Sequence, residues 1–257
     1  MFLIFQFICI IILTGSFISL KAQNYTPYSS LLSDYVREGK VDYENLCADD
    51  LLGKSINSLR NLNKELLKNQ DDSLAFWINI YNAYTLKIVC DNYPVESIVD
   101  IGWGGLIIGH VLGTSVWDKK FVKTESGLLS LNDIEHDIIR KKFNDPRIHF
   151  ALVCASESCP PLLNEAYNGE NLNIQLHKQA LKFLNDSTRN RFDLKNRKAL
   201  LSSIFDWYRD DFANDEEGLL LFIAEYLPDE IKSDILTNSG KWSIKYLNYD
   251  WSLNDSK

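Results

Sequence analysis

Residues 71–94 read DDSLAFWINIYNAYTLKIVCDNYP, and this stretch decides the fold class. From Leu74 to Val89 the apolar and aromatic residues fall nearly all round a helical wheel, and Lys87 is the only charge among them. A helix that is apolar on every side is enclosed by other elements. The pattern predicts a long buried helix, with Ser73 as its cap and Pro94 stopping it. Asn79 and Asn82 lie three apart on it, amid aromatics. Buried amides must find hydrogen-bond partners. They either bind backbone or orient a reacting group.

Amphipathic helices are expected around it at 31–38 and 51–67. The second has Leu52, Ile56, Leu59, Leu62 and Leu66 in helical spacing. LSLNDIEHDIIRKKF, residues 129–143, starts a further helix, with Ser130 as cap and Asp133 three places on. Helices are also predicted at 172–184, 204–212 and 218–226. Short strands are predicted at 121–124, 147–153, 189–192, 199–202 and 242–247, with a turn at Asn196. Residues 102–113 form a glycine-spaced apolar loop. The sum is a helix-rich α+β single domain with a small mixed or antiparallel sheet.

The 257 residues are 46% apolar and 12% aromatic, ample for a packed core. A net charge of −8 argues against a general nucleic-acid binder, which needs basic surface to release counterions. The chain opens MFLIFQFICIIILTGSFISLKAQ. The apolar run carries no charge, Gly15 and Ser16 interrupt it, and Ala22 suits cleavage. The expectation is a signal peptide over 1–22, export to the periplasm or medium, and a single globular domain over 23–257. The alternative is an uncleaved membrane anchor, because a membrane helix needs about 20 apolar residues. Export leaves Cys47, Cys90, Cys154 and Cys159 in an oxidising compartment. Four cysteines allow three full pairings, and spacing does not choose among them.

HFALVCASESCPPL, residues 149–162, holds two of these cysteines. Proline is favoured at the first helical position, so Pro160 predicts a short helix through Glu165 with Cys159 at its mouth. A thiol there has a lowered pKa and is a better nucleophile. Cys154, at the end of the 147–153 strand, is the second candidate. A small-loop Cys154–Cys159 disulfide stands level with a catalytic thiol on these residues alone. A zinc site ranks third, since C-x4-C is wide and no second close pair exists. A thiol enzyme needs a base. His149 and Cys154 would point to opposite faces of a regular strand. On the helix from Leu131, Glu135 falls mid-way across the apolar side and His136 at its edge. A buried carboxylate demands a partner, and Arg147 is the structural choice. Otherwise Glu135 orients a histidine or acts as acid or base.

The motifs FWINIYNAYTLKIV, LSLNDIEHDIIR, DPRIHFALVCASESCPPL, IFDWYRDDF and YLNYDWSLN together resemble the family of domains of unknown function 547. The resemblance spans about 31–254. That family has no agreed activity. Its pattern falls on Asn82, Glu135, His136, Arg147, His149, Cys154, Cys159 and Pro160. By analogy, Cys-His patterning on an α+β scaffold looks similar in kind to papain-like or transglutaminase-like enzymes, although fold alone does not give function.

Two functions follow. The first is a thiol-dependent hydrolase or acyl transferase acting outside the cytoplasm on a small amide or peptide-like substrate. Cys159, or else Cys154, is the nucleophile, His136 or His149 the base, Glu135 the orienting acid and Asn82 a positioning or oxyanion group. The second is an exported binding or scaffold domain stapled by a Cys154–Cys159 disulfide. Neither reading calls for a metal, a cofactor or nucleic acid. Membrane contact is expected only through an uncleaved N-terminal segment.

Overall fold

The computed structural model describes residues 25–102, 115–124 and 127–257. The expected leader, and the glycine-spaced stretch beyond Gly102, lie outside them. Helix α1 spans Thr26–Tyr35, α2 Tyr43–Ala48 and α3 Leu51–Arg60. The long helix, α4, is Gln70–Cys90. It starts three residues before the Ser73 expected as cap, because the Asn69 side chain accepts a hydrogen bond from the Asp72 amide. Fourteen of its residues, from Leu74 to Val89, are buried, as an all-round apolar helix requires. The 51–67 helix stops at Arg60, and a separate 3₁₀ turn follows at Lys64–Leu66.

Residues 131–142 form α5, started by a reciprocal cap. The Ser130 hydroxyl accepts from the Asp133 amide, and the Asp133 carboxylate accepts from the Ser130 amide. Helix α6 is Leu172–Leu184, α7 Glu216–Ala224 and α8 Asp229–Asn238. The last was not foreseen. The 204–212 helix is broken into two turns, Ile204–Trp207 and Arg209–Phe212, that meet at Tyr208. The largest sheet is three-stranded and mixed. Lys198–Leu201 pairs antiparallel with Arg191–Asp193 and parallel with Ser243–Tyr246. The chain is thus α+β and helix-rich, with small sheets.

Two corrections bear on the site. Residues 147–153 are not a strand. The Asp145 side chain caps a 3₁₀ turn, Pro146–Phe150, whose first residue is a proline with φ already helical. Nor does a helix follow Cys159. Residues 160–163 form no helix, because the paired prolines remove two amide donors and disfavour the helical region for each preceding residue.

The interior forms two cores. One gathers α1, α3, α4 and α5 around residues such as Leu31, Ile78 and Ile134. The other is built on Phe150, Phe183, Phe205 and Phe212. The C-terminal segment laces them together. Ser252 bridges to Ser97 and Leu253 to Ser156. The Asn254 side chain accepts from the Tyr43 hydroxyl and donates to the Gly39 carbonyl. Gly39 has φ +92°, and a Cβ there would lie 2.3 Å from Pro161 Cβ. Only glycine lets that turn close over the proline pair beside Cys159.

Candidate active site

A cavity of about 550 Å³ opens where the two cores meet. Tyr81 of α4 lines it, with Glu135, His136 and Arg140 of α5. The 149–160 segment contributes His149, Cys154 and Cys159. Tyr208 and four further aromatic rings complete the wall.

Within α5, residues Asp133–Ile139 are wound as a π-helix, and the Arg140 amide donates to the Glu135 carbonyl five residues back. Wide turns of this kind recur at functional sites. Glu135 is only 6% exposed. It accepts from the Tyr81 hydroxyl at 3.2 Å. Burial and the nearby Glu135 charge together push the Tyr208 hydroxyl well above its usual pKa. Arg147 is not the partner of Glu135. Its guanidinium forks onto Asp145, 2.7 Å between Nη2 and Oδ2, and reaches Asn173. The 3₁₀ turn folds Asp145 back over Arg147 and keeps it there.

Arg140 has three committed donors. Nε and Nη2 donate to the two Asp211 oxygens at 2.5 and 2.9 Å, and Nη1 lies 2.8 Å from His136 Nδ1. A guanidinium can only donate, so His136 Nδ1 accepts and the neutral ring carries its proton on Nε2. Asp211 also meets His149, with Nε2 2.7 Å from Oδ2. Burial pushes the Asp211 carboxyl up, but hydrogen bonds from His149 and Arg140 outweigh it and hold the group well below the usual aspartate range. An ionised carboxylate only accepts, so His149 Nε2 carries a proton, and in the neutral ring Nδ1 is then the nitrogen with the lone pair. The His149 ring stacks on Tyr208, centroids 4.0 Å apart.

The two thiols of the 149–162 stretch differ. Both are free, and the disulfide joins Cys47 to Cys90. The Cys154–Cys159 staple is therefore absent. Cys159 is 2% exposed, and its sulfur accepts the Cys154 amide at 2.9 Å. Burial pushes its pKa well up. Cys154 is partly exposed, and its sulfur lies 3.1 Å from the Ser156 hydroxyl and 3.2 Å from that of Tyr249. Hydrogen bonding from Cys159 lowers its pKa against the pull of burial, and Ser156 and Tyr249 add to the effect, bringing it to about 7. The next residue, Ala155, holds φ at +60°. That left-handed conformation disfavours a side chain and persists only where neighbours enforce it. Here the Ala155 carbonyl accepts from the Asn254 amide.

Asn82 lies outside the cavity lining. Its amide donates to the Ala151 carbonyl and accepts from the Val153 amide, both at 2.9 Å. It is a clamp on the segment that carries Cys154. Asn79 clamps Tyr167 in the same way. Sequence reasoning missed Asp211, Tyr208 and Tyr249. All three sit in the quoted aromatic motifs, but nothing in those motifs links Asp211 to a histidine 62 residues away. Among the described residues, no group of three or more His, Cys, Asp or Glu could hold a metal ion, and no helix is long and apolar enough to cross a membrane.

Residues 65–184 match the model of the family described as "Protein of unknown function, DUF547". Every cysteine and histidine considered above except Cys47 falls within that span. Comparison with curated proteins and with solved structures finds no match.

Proposed function

We propose that this chain, which belongs to the DUF547 family over 65–184, is an exported thiol-dependent hydrolase or acyl transferase for amide or peptide-like substrates. The observation that carries the reading is one cavity lined by a thiol of lowered pKa and by a histidine whose tautomer a carboxylate fixes. Cys154, rather than Cys159, is the nucleophile: it is the more accessible and the more acidic of the two.

The Cys154 proton passes to His149 Nδ1, and the thiolate attacks the substrate carbonyl carbon. Asp211 stabilises the imidazolium that forms. His136 offers its Nε2–H to the developing oxyanion. The imidazolium then protonates the leaving nitrogen, which departs with its bonding pair and leaves a thioester on Cys154. Water, deprotonated by His149, attacks the thioester carbonyl; the C–S bond breaks, its pair returns to the Cys154 sulfur, which takes the proton back from the imidazolium, and the acid is released. An amine in place of water gives transfer. Asn82 positions the nucleophile through backbone and touches no reacting atom. The Cys47–Cys90 disulfide supports an oxidising compartment and hence export.

A small activated ester tests the chemistry. With p-nitrophenyl acetate, wild type is expected to release one equivalent of nitrophenol in a burst and to carry an acetyl group on Cys154 by mass spectrometry. Cys154→Ser should abolish both, and His149→Ala should slow the burst. Acetyl on Cys159 alone, or no burst, would reject the mechanism.

A further inference from the structure

The thiol chemistry leaves part of the cavity unused. Trp117, Trp207, Tyr249 and Trp251 form one wall. Trp207 and Trp251 stack nearly parallel, 18° apart at 5.6 Å, and Tyr249 contacts both at 4.7 and 4.5 Å. Trp117 extends the row at 5.6 Å from Trp251. Trp207 is 47% exposed, a large ring kept at the mouth rather than in a core. Such a wall recognises apolar, flat or cationic groups.

The charges decide among these. Asp211 and His136 take three of the five N–H groups of Arg140, one on each nitrogen, which leaves only two for an anionic substrate. Asp211 in turn neutralises Arg140. Glu135 is a carboxylate more than nine-tenths buried, held by the Tyr81 hydroxyl; it interacts with Tyr208 and feels the Arg140 charge, but no cation pairs with it directly among the described residues. A buried charge with no counter-ion in direct contact is costly. A ligand that brings the missing positive charge relieves that cost. The chain's net charge of −8 draws such a ligand in.

We infer that the cavity selects substrates bearing an organic ammonium group, held between the Trp207–Tyr249–Trp251 wall and the Glu135 carboxylate. The inference rests on the acyl-transfer reading and names the group that its amide substrate carries beside the scissile carbonyl. A protonated amine of a peptide or of an amino-acid amide has this chemistry.

The test needs no turnover. Choline and 3,3-dimethylbutan-1-ol have the same shape and differ in one charge. Titrated into the full folded protein and followed by tryptophan fluorescence, choline is expected to bind about tenfold tighter than its neutral isostere. Butyrate should bind more weakly than either. Glu135→Gln keeps the shape and should erase the preference for choline. Trp207→Phe, which keeps a ring, should reduce it less than Trp207→Ala. Equal binding of the two isosteres, tighter binding of butyrate, or an unchanged preference in Glu135→Gln would overturn the inference. The acetylation burst is read separately: its failure rejects the thiol mechanism, whereas loss of ammonium selectivity with the burst intact rejects the ligand class alone.

Discussion

The two cysteine pairs sit in opposite environments. Cys47 ends near the close of α2 and Cys90 is the last residue of α4, 43 residues apart, and they are joined. Cys154 and Cys159 are five apart and remain free. The first pair ties two helices whose packing already brings them together. The second lies in a loop bent by Ala155 at φ +60°, where the Cys159 sulfur meets the Cys154 amide. Proximity in sequence is therefore a poor guide to pairing. What separates the pairs is whether the backbone holds the sulfurs for each other or turns one toward a cavity.

The sharpest way to break this contrast is at Asp211. Asp211→Asn can no longer fix the His149 tautomer or neutralise Arg140. The acetylation rate at Cys154 is expected to fall on the order of 10³-fold. Stopped-flow release of nitrophenol reads it. Unchanged kinetics would remove His149 from the mechanism.

The structural pair is tested by the Cys47→Ser/Cys90→Ser double variant. Closing a 43-residue separation stabilises by roughly 4 kcal/mol in the chain-entropy account, so urea unfolding should shift by about that amount. Alkylation of Cys154 in the folded variant should keep its wild-type rate. A parallel loss of reactivity would show that the two pairs are not independent.

Asn82→Ala probes the link between core and site. It strands the Ala151 carbonyl and the Val153 amide, at an expected cost of about 2 kcal/mol. It should also slow Cys154 alkylation, because that segment positions the thiol. Full stability would mean that water replaces the clamp.

The smallest effect expected is an acid one. The folded-state pKa of Asp211 is depressed, so its contribution to stability is complete above the ordinary aspartate range and fades as pH falls through that range toward the folded value. Melting temperatures from pH 6 to pH 2 should therefore drop less steeply for Asp211→Asn than for wild type. Parallel curves would mean that the pairing adds nothing.

The helices that build the site were legible because burial leaves a mark in the sequence, whereas α2 and α8 were not foreseen. The all-round apolar pattern of 74–89 announced α4, and Ser130 with Asp133 announced α5. Asn82 and Glu135 stood out as polar residues on buried faces, and both are buried. Their partners were not legible. Glu135 meets Tyr81 from another helix, and Asp211 meets His149 and Arg140 from elements far along the chain. Such contacts are set by tertiary packing and leave no spacing to read. The proline pair misled for a local reason. One proline starts helices, but two in succession remove two amide donors and disfavour the helical region before each, so the dipole expected to act on Cys159 has no helix to supply it.

Peptide mapping after alkylation without reductant tests the central claim most directly. Folded protein is treated with iodoacetamide across pH 5 to 9, then denatured, labelled with a second reagent and digested. The account predicts a Cys47–Cys90 linked peptide, first-reagent label on Cys154 rising through about pH 7, and Cys159 labelled only after denaturation. A Cys154–Cys159 linked peptide, or first-reagent label on Cys159 ahead of Cys154, would contradict it.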